Sequence, residues 1–257
     1  MNINTQIQAL LPCLAACTST SNRLKLQEKF LKAQCEDTVL IETLKEKILD
    51  VADSGKSNAF NNALGFVTYR LGSAKDETTG FFANLRLHIY DSKLKKPEFL
   101  EHPHDHAWEF VSFTKFGKIF DTMWSITKNN TKNLYKKFQF IFNRNDKNVK
   151  TGNLNFIENV RLKPLSIREV PVGETISVTK GKLHSVEAEQ GTVTVILNYG
   201  HPSNDTNFMF PEHITPPAKN GLFDFERLSI GDTISGMLSF LIDRLKQAPP
   251  SCPIEKP

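Results

Sequence analysis

A chain of 257 residues is long enough to bury a sizeable core, as one large domain or two small ones. With 39% apolar and 23% charged residues it has the composition of an ordinary globular protein, which excludes a disordered or fibrous chain. Its formal charge of +4 is too small to point to a nucleic-acid partner.

The first 55 or so residues are predicted helical. Ile3, Ile7, Leu10 and Leu14 recur at helical spacing, and a second helix is expected over 22–34 with Leu24, Phe30 and Leu31 as apolar anchors. Asp37 reads as the N-cap of a third, whose face carries Ile41, Leu44, Ile48 and Val51 and which Asp53-Ser54-Gly55 closes. These faces are expected to pack against a barrel and to hold no cofactor. Cys13, Cys17, Cys35 and Cys252 make no dense disulfide framework and fit reduced thiols in a cytoplasm. Leu14-Ala15-Ala16-Cys17 resembles a bacterial lipoprotein cleavage box. Residues 1–12 hold no Lys or Arg, however, and Gln8 and Pro12 break the apolar run, so export is the minor alternative to a cytoplasmic location. No stretch approaches the length of a membrane-spanning helix.

From Phe81 the period changes. Segments 81–90, 106–114, 118–124, 134–142, 154–162 and 192–199 read as strands separated by Gly, Asn, Asp, Lys and Pro clusters. Short strands at near-regular spacing predict a sandwich or barrel. Lys128, Lys132, Lys136, Lys137, Lys147 and Lys150 crowd an Asn-rich stretch within 126–150, read as an extended, solvated hairpin. Segment 201–219 reads as a Pro-containing loop without periodicity, long enough to cover a barrel mouth. A last helix is predicted over 232–247, stopped by Pro249-Pro250. The division expected is a helical region over 1–64, a barrel over 65–220 and a helical segment and tail over 221–257.

The most informative stretch is His102-Pro103-His104-Asp105-His106-Ala107-Trp108-Glu109-Phe110. Read as a strand, it points His102, His104 and His106 to one face. Neutral imidazole is the commonest metal ligand, and two at i and i+2 bind well once a third arrives from elsewhere. His184, in Lys180-Gly181-Lys182-Leu183-His184, is the candidate third.

These two segments resemble the paired motifs of the cupin superfamily. His104, His106, Glu109 and Gly117 fill the slots of the first motif, and Gly181 and His184 those of the second, over about residues 65–200. The resemblance implies a mainly β fold, the double-stranded β-helix or jelly roll, with flanking helices. It also implies a metal held by His104, His106 and His184. Glu109 is an optional fourth ligand, because its spacing from His106 turns it to the other face of a regular strand unless a bulge intervenes. The motif is most similar to that of the three-histidine thiol dioxygenases. His104-Asp105-His106 and Leu183-His184-Ser185-Val186 match that family, and Tyr69-Arg70 resembles its Tyr-x-Arg segment without the middle residue. The family's Ser-x-His-x-Tyr strand is reduced here to Val195-Ile196-Leu197-Asn198-Tyr199, in which only Tyr199 remains.

The resemblance implies a non-haem iron oxygenase or dioxygenase, with Fe(II) the expected metal and zinc, manganese or nickel as alternatives. Its partners would be O2 and a small polar substrate, carboxylate-bearing, amino-acid-like or thiol. Arg86, His88 and Tyr90 alternate on one strand face, so Arg86 is the candidate clamp for a carboxylate and Arg70 its rival. Leu85, Leu87 and Ile89 form the other face, and either face can be the inner one. Tyr199, Trp108 and Phe110 are expected in the pocket wall. Two rival functions stay open on the same fold. One is an isomerase, epimerase or lyase that uses the metal as a Lewis acid. The other is a ligand-binding module without turnover. No nucleic acid and no membrane span are expected, and a homodimer is open.

Overall fold

The computed structural model describes residues 2–54, 59–62, 66–90, 102–128, 134–142, 152–201, 206–214 and 231–247. Three helices lead, α1 (Ile3–Ala16), α2 (Thr20–Gln34) and α3 (Asp37–Ser54), and α4 (Gly231–Gln247) closes the described chain. Side chains cap the first two: Asn2 accepts from the Asn4 amide and Ser19 from the Asn22 amide. Asp37, expected as a cap, is the first residue inside α3, where its carboxylate faces the positive end of the helix and pairs with Lys115. Gly55 and the lysines at 132, 147 and 150 lie outside the described residues.

Among the described residues eleven strands form two antiparallel sheets. They are β1 (Ala59–Asn62), β2 (Phe66–Lys75), β3 (Phe82–Tyr90), β4 (Glu109–Phe116), β5 (Ile119–Ile126), β6 (Leu134–Phe142), β7 (Gly152–Val170), β8 (Thr175–Val178), β9 (His184–Ala188), β10 (Thr192–Gly200) and β11 (Thr206–Pro211). One sheet runs β1-β2-β3-β10-β4-β8 and the other β11-β6-β7-β5-β9. The segment at His104 joins the second sheet by single-residue bridges to His184 in β9 and Phe208 in β11. Set aside β1, β2 and the β6 and β11 additions, and the orders are β3-β10-β4-β8 and His104 segment-β9-β5-β7. Successive strands cross between the two sheets except for β5 and β7, which pair within the second, and this is jelly-roll topology. The fold is mainly antiparallel β, curled around a cavity and flanked by helices.

The first sheet is buried on both faces. Leu85, Leu87, Val111, Val195 and Leu197 turn outward and pack under Ile7, Leu14, Leu31 and Leu44 of the helices, with Leu238 and Leu241 of α4. The inward side meets the second sheet through Phe66, Phe110, Ile119, Ile176, Val186 and Phe208. None of the described helices is long and apolar enough to cross a membrane.

Four features depart from the sequence reading. Strand structure begins at Ala59, not Phe81: β2 escaped notice because Arg70 and Gly72 flank a register shift that breaks its alternation. β8 and β9 have four and five residues, too few to show a period. Segment 201–219 contains β11, whose Phe208 and Phe210 pack inward. In the region read as an extended hairpin β6 and β7 pair antiparallel, with 143–151 between them outside the described residues, and β7 is 19 residues long, pairing with β6 over its first half and β5 over its second.

Gly117, in the tight turn between β4 and β5, has φ 70°, and an added Cβ would lie 2.4 Å from the Thr192 hydroxyl. That hydroxyl donates to the Lys118 carbonyl at 3.0 Å. Gly117→Ala therefore combines a left-handed backbone with a steric conflict. It is expected to cost about 2 kcal/mol or more in urea unfolding.

Candidate metal centre

The backbone brings two distant histidines together first. The His104 amide donates to the His184 carbonyl and the His184 amide to the His104 carbonyl, both at 2.8 Å. Asp105 turns the other way and grips β11, accepting from the Asn207 amide and side-chain nitrogen at 2.7 Å each. His106 is held by its carbonyl, which accepts from the Gly181 amide at 3.0 Å. The regular ladder starts only at Glu109. The expected alternation over the histidine run therefore holds for His104 and His106 and fails for His102. The His102 ring packs edge-on against Phe210, 5.5 Å between centroids, outside the cluster.

His104, His106 and His184 each offer a ring nitrogen, all within 4.8 Å of one another. His106 Nε2 and His184 Nε2 are 3.0 Å apart. His184 Nδ1 lies 2.8 Å from Asp121 Oδ1 and His104 Nδ1 lies 3.0 Å from the His102 carbonyl oxygen. Both acceptors are oxygens, so in neutral rings the proton sits on Nδ1 and the Nε2 lone pair is left free. Burial, reinforced by neighbouring His184, pushes the His104 pKa down to about 3. Burial and then His104 hold His106 well below the usual histidine range. Phe208 stacks on His104 and Phe110 meets His106 edge-on, fixing the rings. Three imidazole nitrogens, with two of the rings oriented by oxygen partners, are a donor set that fits a divalent metal and leaves coordination positions open.

The cavity beside this cluster is lined by Arg86, His88 and Tyr90 from β3, Trp108 and Phe110, Ser112 from β4, and Ile196 and Asn198 from β10. The polar side of β3 is thus the inner one, because helices cover its apolar side. Burial, and the charge of Arg70 opposite it in register, lower the Arg86 pKa to about 10. Arg70 stands in the same row on the adjacent strand β2 but does not line the cavity.

Tyr199 is misplaced by the sequence reading. It packs on the helix side, its ring 5.3 Å from Phe81, and takes no part in the cavity. Val195 and Leu197 share that outer face. The β10 residues that look inward are Ile196 and Asn198, one register off from the segment compared with the thiol dioxygenases. Glu109 also faces outward: its carboxylate takes Arg23 Nε at 2.9 Å, Arg23 Nη2 at 3.1 Å and Gln27 Nε2 at 3.0 Å, pinning β4 to α2. Asp121 was missed. Its signal was a carboxylate in the apolar strand Ile119-Phe120-Asp121-Thr122-Met123-Trp124, in phase with Ile119.

No protein-family model matches the chain, and no curated protein matches it by sequence. Among solved structures, hydroxypropylphosphonic acid epoxidase from S. wedmorenis overlaps 55% of this chain and 54% of its own, with 14% identity and a TM-score of 0.30. Fe(II) HppE overlaps 53% and 51%, with 13% identity and a TM-score of 0.28. Hydroquinone 1,2-dioxygenase from Sphingomonas sp. TTNP3, with 4-hydroxybenzoate bound, overlaps 46% and 60%, with 8% identity and a TM-score of 0.27. The overlap with the epoxidase spans about half of each chain.

Burial, then the charge of Arg86, pushes His88 down to about 3, as burial does His104. Both are neutral in the fold and take up protons near the ordinary 6.5 once unfolded. The unfolded chain therefore binds more protons between pH 6.5 and 3, and stability must fall as pH falls through that window. Urea unfolding of metal-free protein at pH 7 and pH 5 should differ by about 2 kcal/mol for each of these histidines.

Proposed function

We propose that this protein is a metal-dependent enzyme of the cupin type, a mononuclear non-haem iron oxygenase for a small polar substrate bearing a carboxylate. The observation that carries the reading is the convergence of His104, His106 and His184, with Nδ1 of two rings committed to oxygen acceptors, at the wall of a cavity that also holds Arg86. A structural site closes its metal with four protein ligands, whereas three leave room for substrate and O2.

Fe(II), which His104, His106 and His184 would hold, would supply the redox and Lewis-acid chemistry of the reaction between substrate and O2. The chain's own residues do the rest. Asp121 holds the His184 ring in one tautomer, and Phe110 and Phe208 keep the imidazoles in place and exclude water. Arg86 clamps the substrate carboxylate. With Ile196 and Asn198 rather than Ser and His facing inward from β10, cysteine is expected to turn over poorly.

Metal analysis of purified variants tests the ligand set. His184→Ala is expected to lose most of the bound metal and Glu109→Gln to keep it, since the Glu109 carboxylate is engaged by Arg23 and Gln27. Full metal in His184→Ala would remove that residue from the site.

An oxygen electrode tests the chemistry. Iron-loaded protein should consume O2 only when a chelating substrate is added from a screen of thiols, amino acids, hydroxy acids and keto acids. Tight binding of one of these with no uptake, and its return unchanged, would favour a binding module.

A further inference from the structure

The inner face of the first sheet carries polar side chains in cross-strand register. Thr68, His88, Thr194 and Thr114 oppose one another across β2, β3, β10 and β4. In the next row Arg86 faces Ile196, and Ile196 faces Ser112. Atoms of these groups are sealed from solvent without a hydrogen-bond partner among the described residues: Arg86 Nε, His88 Nε2, Ser112 Oγ and the Thr68 and Thr114 hydroxyls, with Asn198 Oδ1 beyond them. Of these residues Arg86, His88, Ser112 and Asn198 line the cavity. A buried polar atom left unpaired costs about 1–3 kcal/mol, so four such groups on a cavity wall mark a place where a ligand completes the bonding.

The inventory of donors and acceptors says what kind of ligand. Arg86 offers only N–H donors and a positive charge, which an anionic group satisfies. A neutral imidazole also presents an acceptor nitrogen, and Asn198 presents its carbonyl oxygen. A simple carboxylate has no hydrogen to give either of them. Along β3, His88 stands two residues from Arg86 on the same face, and Phe66 stacks on its ring at 4.3 Å between centroids and 29° between planes. The imidazole is thus held flat against Phe66, on the same strand face as the guanidinium.

We propose that His88 is a specificity-determining residue of the cavity. It accepts a hydrogen bond from a hydroxyl or amine next to the carboxylate that Arg86 holds, so the preferred ligand is a hydroxy or amino acid and not a plain acid. The inference rests on reading the cavity beside the histidine cluster as the substrate site. No proton or electron need move for the recognition to operate.

Calorimetry with lactate, alanine and propionate tests it on the full chain, both zinc-loaded and metal-stripped. The stripped form removes any contribution from chelation. Wild type is expected to bind lactate or alanine about tenfold tighter than propionate in both forms, the size of one buried hydrogen bond. Arg86→Gln should weaken all three acids. His88→Leu should bring the tighter ligand down to the level of propionate while propionate itself stays within about twofold. His88→Gln, which keeps an acceptor, should restore part of the preference, a result that loss of packing alone would not give.

Equal affinity for the three acids in wild type, binding of none of them, or a His88→Leu variant that still discriminates would each overturn the proposal. Discrimination through His88 without O2 uptake by the iron-loaded protein would sink the oxygenase reading and leave this one standing. Uptake without discrimination would do the reverse.

Discussion

Everything at the centre of this molecule depends on the reciprocal pair of backbone hydrogen bonds between His104 and His184. Residues distant in sequence are locked side by side by two bonds of 2.8 Å, and their rings are brought to 4.8 Å between centroids. The same contact closes the second sheet, because His104 also bridges Phe208 in β11. Fold closure and ring convergence are therefore one event. A donor cluster built on paired backbone is held more firmly than one built on loops, which is what a metal site with an open face requires.

The cost of such a centre is spread through the layers around it. The inner face of the first sheet carries Arg86, His88, Ser112 and Asn198 where an ordinary core would carry aliphatic side chains. Packing on the other side offsets that cost. Leu85, Leu87, Val111, Val195 and Leu197 are buried under four helices, each contributing roughly 1.5–3 kcal/mol of apolar burial. A strand buried on both faces can thus keep a polar face for function while an apolar one supplies stability. The Glu109–Arg23–Gln27 network makes the same division at one residue: a carboxylate three residues beyond His106 faces away from the histidine cluster and fastens the barrel to α2.

Orientation is the second constraint. A histidine can coordinate through either nitrogen, and which one is free is decided by what the other touches. Asp121 makes that decision for His184, and the His102 carbonyl makes it for His104. His102 thus contributes through its backbone while its ring packs on Phe210.

Much of this was legible in the sequence. The three helices at the start, the main strands and the outward parity of Glu109 follow from periodicity and spacing, which are local properties; the jelly-roll class and the grouping of the histidines at 104, 106 and 184 came with the resemblance to the cupin motifs. What only the tertiary structure decided is non-local. The inner face of β3 could not be chosen from its alternation, because both faces of that strand are buried and only the position of the helices tells them apart. Tyr199 fell on the wrong side for the same reason, since a shift of one residue exchanges the faces of a strand. Asp121 and His184 are separated by 63 residues, and β9 pairs beside β5 to bring them together. His102 departs from its alternation because its segment is held by single bridges and not by a ladder. Spacing along a chain specifies which side chains can share a face; which face becomes the interior is set by what packs against the other one.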